Sequence, residues 1–162
     1  KFIIAPHEVF EDNLQDVKKE FSNAIFYSAL AKDNSLGAAA HVLIIDNIGM
    51  LAKLYKYADV TLVGGGFGQS GIHNVLEAAV YGKPVVFGPV YEKYAEAIGL
   101  VECGGAFSAT NPQDLDKLLN RLFNNEAEIK KAGSAARDFV HEHRGATKKI
   151  LDYIERKRLL TN

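Results

Sequence analysis

The sequence holds a single cysteine, Cys103, in 162 residues. No intrachain disulfide can form, and a reducing compartment suits such a chain. It also lacks an excess of either charge: 19 Lys and Arg stand against 20 Asp and Glu, for a formal net charge of -1. Bulk electrostatics therefore give no reason to expect nucleic acid as a partner. No apolar run approaches the ~18 residues of a membrane span, and no signal-peptide pattern is present, so the chain itself is expected to be soluble. Internal repeats and low-complexity segments are lacking as well. So is an initiator methionine: the chain opens on Lys1-Phe2-Ile3-Ile4, already strand-like, as a piece of something longer would.

What is present suits a soluble globular domain, with 48% hydrophobic and 24% charged residues. The length fits one domain over residues 1–162, and a chain of this size buries roughly 70% of its unfolded surface. Short apolar runs predict strands at Phe2–Ala5, Ala24–Tyr27, Val42–Ile45, Val60–Val63 and Pro84–Phe87. Helical spacing predicts helices over residues 7–21, 49–58 and 72–81, the last ended by Gly82. Residues 33–37 read as a loop. Ala106-Phe107 adds an edge strand, and helices fill 112–123, 126–141 and 146–158. Asn111 followed by Pro112 marks one helix start. Strands apolar on both faces and alternating with helices imply an α/β fold, a Rossmann-like parallel sheet covered by helices on both faces, with a helical C-terminal tail.

The most informative stretch is Val63-Gly64-Gly65-Gly66-Phe67-Gly68-Gln69-Ser70-Gly71-Ile72-His73-Asn74-Val75-Leu76-Glu77. It reads as a buried strand, a glycine-rich loop and the opening of a helix. Ligands of open parallel sheets bind beyond the carboxyl ends of the strands, where this loop lies. Glycines allow positive φ and close approach of the backbone. A helix starting near Ser70-Gly71 would offer unpaired N–H groups to a phosphate. Four residues apart, His73 and Glu77 would share a helix face, with Glu77 placed to accept from both hydroxyls of a ribose. The plainer readings are a tight turn and a surface pair. The loop is neither a P-loop nor a dinucleotide fingerprint: it lacks the Gly-Lys-Ser/Thr ending, and Gly64-x-Gly66 has no third glycine in register. Phe87-Gly88-Pro89 and Asp46-Asn47-Ile48-Gly49-Met50 follow other strands, and the second could present backbone groups to a base and cover its face with Ile48 or Met50.

Gly64-Gly65-Gly66-Phe67, Gly71-Ile72-His73-Asn74-x-Leu76-Glu77-Ala78-Ala79, Gly82-Lys83-Pro84-Val85 and Phe87-Gly88-Pro89, with Ala58-Asp59 and Ala5-Pro6-His7, together resemble the C-terminal domain of the bacterial 3-deoxy-D-manno-octulosonic acid (Kdo) transferases. These are GT-B glycosyltransferases. The resemblance implies that the chain is the C-terminal, donor-binding half of a GT-B fold and binds CMP-Kdo. Gly65, Gly66, Ser70, Gly71, His73 and Asn74 would surround the phosphate, Glu77 would bind the ribose, and Ile48, Gly49 and Met50 would sit against cytosine. The catalytic base, the site for the lipid A precursor and the membrane anchor would belong to an N-terminal domain outside this chain, so no catalytic residue is assigned here. The full protein would work at the cytoplasmic face of the bacterial inner membrane, and neither metal nor cofactor would be needed. One departure stands out. The family commonly has Arg in an Ala-Pro-Arg-His stretch near the phosphate, whereas this chain reads Ala5-Pro6-His7-Glu8, leaving His7 as the candidate replacement.

Two alternatives stay open: a GT-B transferase using a UDP-sugar, and a non-catalytic nucleotide-binding module. A diphosphate calls for more neutralising charge, and no Arg or Lys lies between Gly64 and Glu77. Tyr91, Lys93 and Tyr94 could border the donor's sugar. Cys103 reads as a small packed residue. Lys148, Lys149, Arg156, Lys157 and Arg158 make the tail basic, which suits an exposed helix and, less so, an anionic membrane surface.

Overall fold

The computed structural model describes residues 1–21, 23–68 and 71–159. The chain divides into two compact units, Lys1–Leu54 and Tyr55–Asn162.

In the first unit three short strands, β1 (Phe2–Ile4), β2 (Ala24–Phe26) and β3 (Val42–Ile44), form a parallel sheet with β3 in the middle. Val42 pairs with both Phe2 and Ala24, which fixes the register. Helix α1 (Glu11–Glu20) turns its Leu14 onto Ala24, Val42 and Ile44 to make the core. Its acidic first turn and basic last turn complement the helix dipole. The expected start at residue 7 is corrected: Phe10 is extended, and residues ahead of it serve a cavity described below. A single helical turn, α2 (Tyr27–Leu30), takes Tyr27 from the end of the expected second strand, and a 3-10 turn at Asn34–Gly37 occupies the expected loop over residues 33–37. The side chain of Asp33 caps the 3-10 turn by accepting from the Ser35 amide, a bond too local to show as periodicity. Helix α3 (Leu51–Leu54) gives way to a 3-10 turn, Tyr55–Tyr57, where the second unit begins.

The second unit holds β4 (Thr61–Leu62), β5 (Val85–Phe87) and β6 (Ala106–Ser108), again parallel and in the order β4-β5-β6. The central strand explains why the sequence shows no alternation there: Val85, Val86 and Phe87 are each 0% exposed. The helices of this unit are α4 (Leu76–Ala79), α5 (Ala95–Glu102), α6 (Pro112–Phe123), α7 (Glu126–His143) and α8 (Ala146–Lys157). Asn111 caps α6 by accepting from the Asp114 amide at 2.9 Å, with Pro112 in the first turn. Small residues let α7 approach closely. A Cβ on Gly133 would come within 2.2 Å of the Gly82 carbonyl, and one on Gly105 within 2.7 Å of the Ala136 backbone. Helix α5 has no counterpart in the sequence reading. Its Gly99 is a poor helix former, but a Cβ there would strike the Phe139 ring at 2.4 Å, so tertiary packing sets the residue. Cys103, just past α5, is exposed rather than packed, although its thiol lies 3.3 Å from the Leu100 carbonyl and 3.8 Å from the Ala135 carbonyl.

Candidate functional site

In the second unit the glycine-rich stretch closes on itself. Gly65, Gly66 and Gly71 have φ of 83°, 76° and 72°, values that disfavour any side chain. The Gly66 amide donates to the Gly71 carbonyl at 2.7 Å and the His73 amide to the Gly64 carbonyl at 3.0 Å, so Gly65 and Ile72 sit opposite each other in an antiparallel bridge. The Val90 amide donates to the Gly66 carbonyl at 2.9 Å, tying in the loop that follows β5. Space is absent at each corner. A Cβ on Gly65 would meet the Gly71 oxygen at 2.1 Å, and one on Gly88 the Gly66 carbon at 2.3 Å. One on Gly71 would meet the Tyr94 hydroxyl at 2.4 Å. Phe67 and Gly68 form the exposed tip.

This closure corrects the expected helix over 72–81. Ile72 is spent on the bridge, so α4 begins only at Leu76 and spans four residues. The helix terminus expected beside Ser70-Gly71 is therefore not there, and His73 and Glu77 do not share a helical face. Ser70 itself lies outside the described residues. Gly82 ends the segment as expected, with φ of 68° and its amide on the Ala79 carbonyl. The side chains are instead organised around Asn74. Its Oδ1 accepts from the Leu76 amide at 3.0 Å and its Nδ2 donates to Glu77 Oε1 at 3.0 Å. The His73 ring lies against Gly64, 3.4 Å from the point a Cβ would occupy. Glu77 also acts on Tyr55, a residue without a signal in the sequence. Burial first, and the Glu77 carboxylate second, raise the Tyr55 hydroxyl pKa above its ordinary 10.0. Tyr94 reaches this cluster through Gly71. Tyr91 does not: its ring tilts against Phe87 at 5.2 Å and lines a groove along β6.

In the first unit a second group of expected residues comes together. Ala5, Pro6, His7, Asn47, Ile48 and Gly49 help to line a cavity of about 140 Å³. Its floor is fixed from β1 and β3, the Ile45 amide donating to the Ile4 carbonyl at 2.8 Å. Asp46 is anchored by Ser28, whose amide and hydroxyl both donate to its carboxylate. Gly49 turns with φ of 92°, and Ile48 stands 87% exposed at the rim. Met50 does not line the cavity; its sulfur accepts from Asn47 Nδ2 at 3.0 Å. Asn47 Oδ1 is buried with no partner among the described residues. No group of three or more potential metal ligands occurs among them either.

The arrangement presents a glycine turn with a carboxylate–amide pair in one unit, and a small cavity beside an acceptor unpaired among the described residues in the other. The family profile "Glycosyl transferases group 1" matches residues 27–139. The chain is similar to the 3-deoxy-D-manno-octulosonic acid transferase of Bordetella pertussis, 32% identical over 120 residues, which cover 74% of this chain and 28% of that protein. It is similar to the transferase of the same name from Aquifex aeolicus (strain VF5), 31% identical over 121 residues, covering 70% of this chain and 34% of that one. The chain thus spans about a third or less of the length of these relatives. Among solved structures it resembles the C-terminal CMP-Kdo binding domain of WaaA from Acinetobacter baumannii, with a TM-score of 0.70 and 20% identity, covering 85% of this chain and 72% of that one. That likeness bears out the expected fold.

Proposed function

Because the chain belongs to the glycosyl transferases group 1 family, we propose that residues 1–162 form the part of a Kdo transferase that binds the sugar donor, CMP-Kdo. The observation carrying this is the similarity to two Kdo transferases, each extending over at least 70% of the chain. In this reading the glycine turn, with Ser70, His73 and Asn74, borders the donor phosphate. Glu77, held by Asn74, accepts from the ribose hydroxyls. Ile48 and Gly49 flank the base at the cavity they line. His7, in the same lining, stands where the family commonly has a basic residue. Two of the turn's amides, those of Gly66 and His73, already serve main-chain carbonyls. The phosphate therefore depends on side chains and the remaining amides more than on a helix end.

The reaction is transfer of Kdo from CMP to a lipid A precursor, with no metal or cofactor entering the reading. The acceptor site, the catalytic base and the membrane association at the cytoplasmic face of the inner membrane belong to parts of the protein outside these residues. The absence of any Arg or Lys between Gly64 and Glu77 favours a monophosphate over the diphosphate of a UDP-sugar. Calorimetric titration of the chain with CMP, UMP and UDP tests this. CMP should bind tightest, and tighter binding of UDP overturns the assignment in favour of a UDP-sugar donor. Glu77→Ala and a Ser70/His73 double variant should each weaken CMP binding; undiminished affinity in both removes the proposed ribose and phosphate contacts.

A further inference from the structure

We propose that Asn47 is the residue that selects the donor's base, its Oδ1 accepting a hydrogen bond from the exocyclic amine of cytosine; this rests on the nucleotide reading above.

The observations are all local to the first unit. Asn47 lines a cavity of about 140 Å³ whose walls are otherwise largely apolar, from Ala5, Pro6, Val9, Ile45 and Leu51. A cavity of ~150 Å³ takes up one benzene ring, so this one has room for a single six-membered ring. Ligand sites pair such apolar walls with a few polar groups that fix orientation. Among the described residues, Asn47 Oδ1 is the buried side-chain oxygen or nitrogen with no partner. Folded proteins rarely leave such an acceptor unpaired, because burial removes it from water without compensation.

The sense of the amide follows from its other end. Asn47 Nδ2 donates to the Met50 sulfur at 3.0 Å, and Met50 is fixed in turn by the Lys53 amide on its carbonyl at 2.9 Å. The neighbouring Asp46 is tied to Ser28 by two hydrogen bonds. The nitrogen is therefore engaged and the oxygen remains. A lone acceptor favours a ligand that presents a donor. Cytosine carries an amine where uracil carries a carbonyl, so the same oxygen attracts the first and repels the second. Oδ1 exposes no surface in the empty cavity, so a ring reaches it by displacing the lining that covers it while Nδ2 stays on the Met50 sulfur. Met50, which the sequence places against the base, acts instead by orienting the amide.

Calorimetry with CMP, UMP and the monophosphate of 2-pyrimidinone riboside, which lacks the amine, tests the assignment. The unaltered protein should bind CMP roughly ten- to hundredfold more tightly than either analogue, the range for a buried hydrogen bond left unmade. Asn47→Leu should bring CMP and UMP within about threefold of each other, mostly through weaker CMP binding, with β1–β3 protection in hydrogen exchange retained. Two results overturn the inference while leaving the nucleotide reading intact: equal affinity of the unaltered protein for CMP and the amine-free analogue, or an unchanged CMP preference in Asn47→Leu. The first arm needs no variant, so it decides the matter even where Asn47→Leu fails to fold. Absence of any CMP binding by the unaltered protein sinks the nucleotide reading itself.

Discussion

The two glycine-bearing turns differ in how far they are satisfied. The turn of the second unit closes on itself: the Gly66 and His73 amides serve its own carbonyls, and a Cβ on Gly65, Gly66 or Gly71 would collide with its neighbours. The Asp46–Met50 turn of the first unit also carries a glycine at positive φ, but a Cβ on Gly49 meets nothing within 4 Å. Beside it a buried oxygen is left without a partner. A turn closed on its own backbone has a fixed shape, whereas a buried acceptor without a partner makes a demand that a ligand can meet, although both stretches read as glycine-containing loops after strands.

The largest effect that sharpens this contrast is expected at Gly65. Gly65→Ala forces a Cβ to 2.1 Å from the Gly71 oxygen at a φ of 83°. About 3 kcal/mol or more of second-unit stability should be lost through overpacking and left-handed strain, measured as amide hydrogen exchange across β4 and β5. Gly49→Ala has the same kind of φ without the collision, so β1 and β3 should lose only about 1 kcal/mol in the same measurement. Equal losses at the two positions would erase the distinction between the turns.

Smaller effects test the electrostatics around the glycine turn of the second unit. Burial and Glu77 raise the Tyr55 pKa above 10.0. The folded state therefore holds this proton to higher pH than the unfolded chain does. The associated stability is complete below pH 10 and declines as pH rises through the folded-state value. Glu77→Gln should lower the Tyr55 pKa but leave it above 10.0, since burial is the larger cause; ultraviolet titration of the tyrosines reads this, and a pKa unchanged by the substitution separates Glu77 from Tyr55. The smallest effect belongs to the exposed α7 pair of Glu126 and Lys130, 2.6 Å apart. Lys130 holds the Glu126 pKa below 4.5 by hydrogen bond and charge, so the pair's contribution is present at neutral pH and fades as pH falls through the folded-state value. Lys130→Ala should move the carboxylate back toward 4.5 by NMR titration with no detectable change in the unfolding midpoint.

The elements legible in the sequence are those whose signal is local. The α6 start at Asn111-Pro112, the apolar run of β5 and the long periodic helices of residues 126–143 and 146–157 follow from capping chemistry and spacing alone. The family resemblance was equally readable, because glycines, His73, Asn74 and Glu77 keep their spacing whatever the backbone does between them. The helix expected after Gly71 was not readable in the same way. Whether Ile72 continues into a helix or pairs with Gly65 depends on the Gly66–Gly71 closure and on Gly88 pressing from the next loop. Helix α5 was hidden because Gly99 argues against a helix until Phe139 is seen to need its space.

Residue identity and spacing thus settled the fold class and where the strands fall along the chain. Tertiary structure alone decided which polar groups are satisfied. The orphaned oxygen of Asn47 and the Asn74–Glu77 bond each depend on which groups the folded chain brings within hydrogen-bonding range, and burial of Tyr55 beside the Glu77 charge likewise exists only in the folded unit.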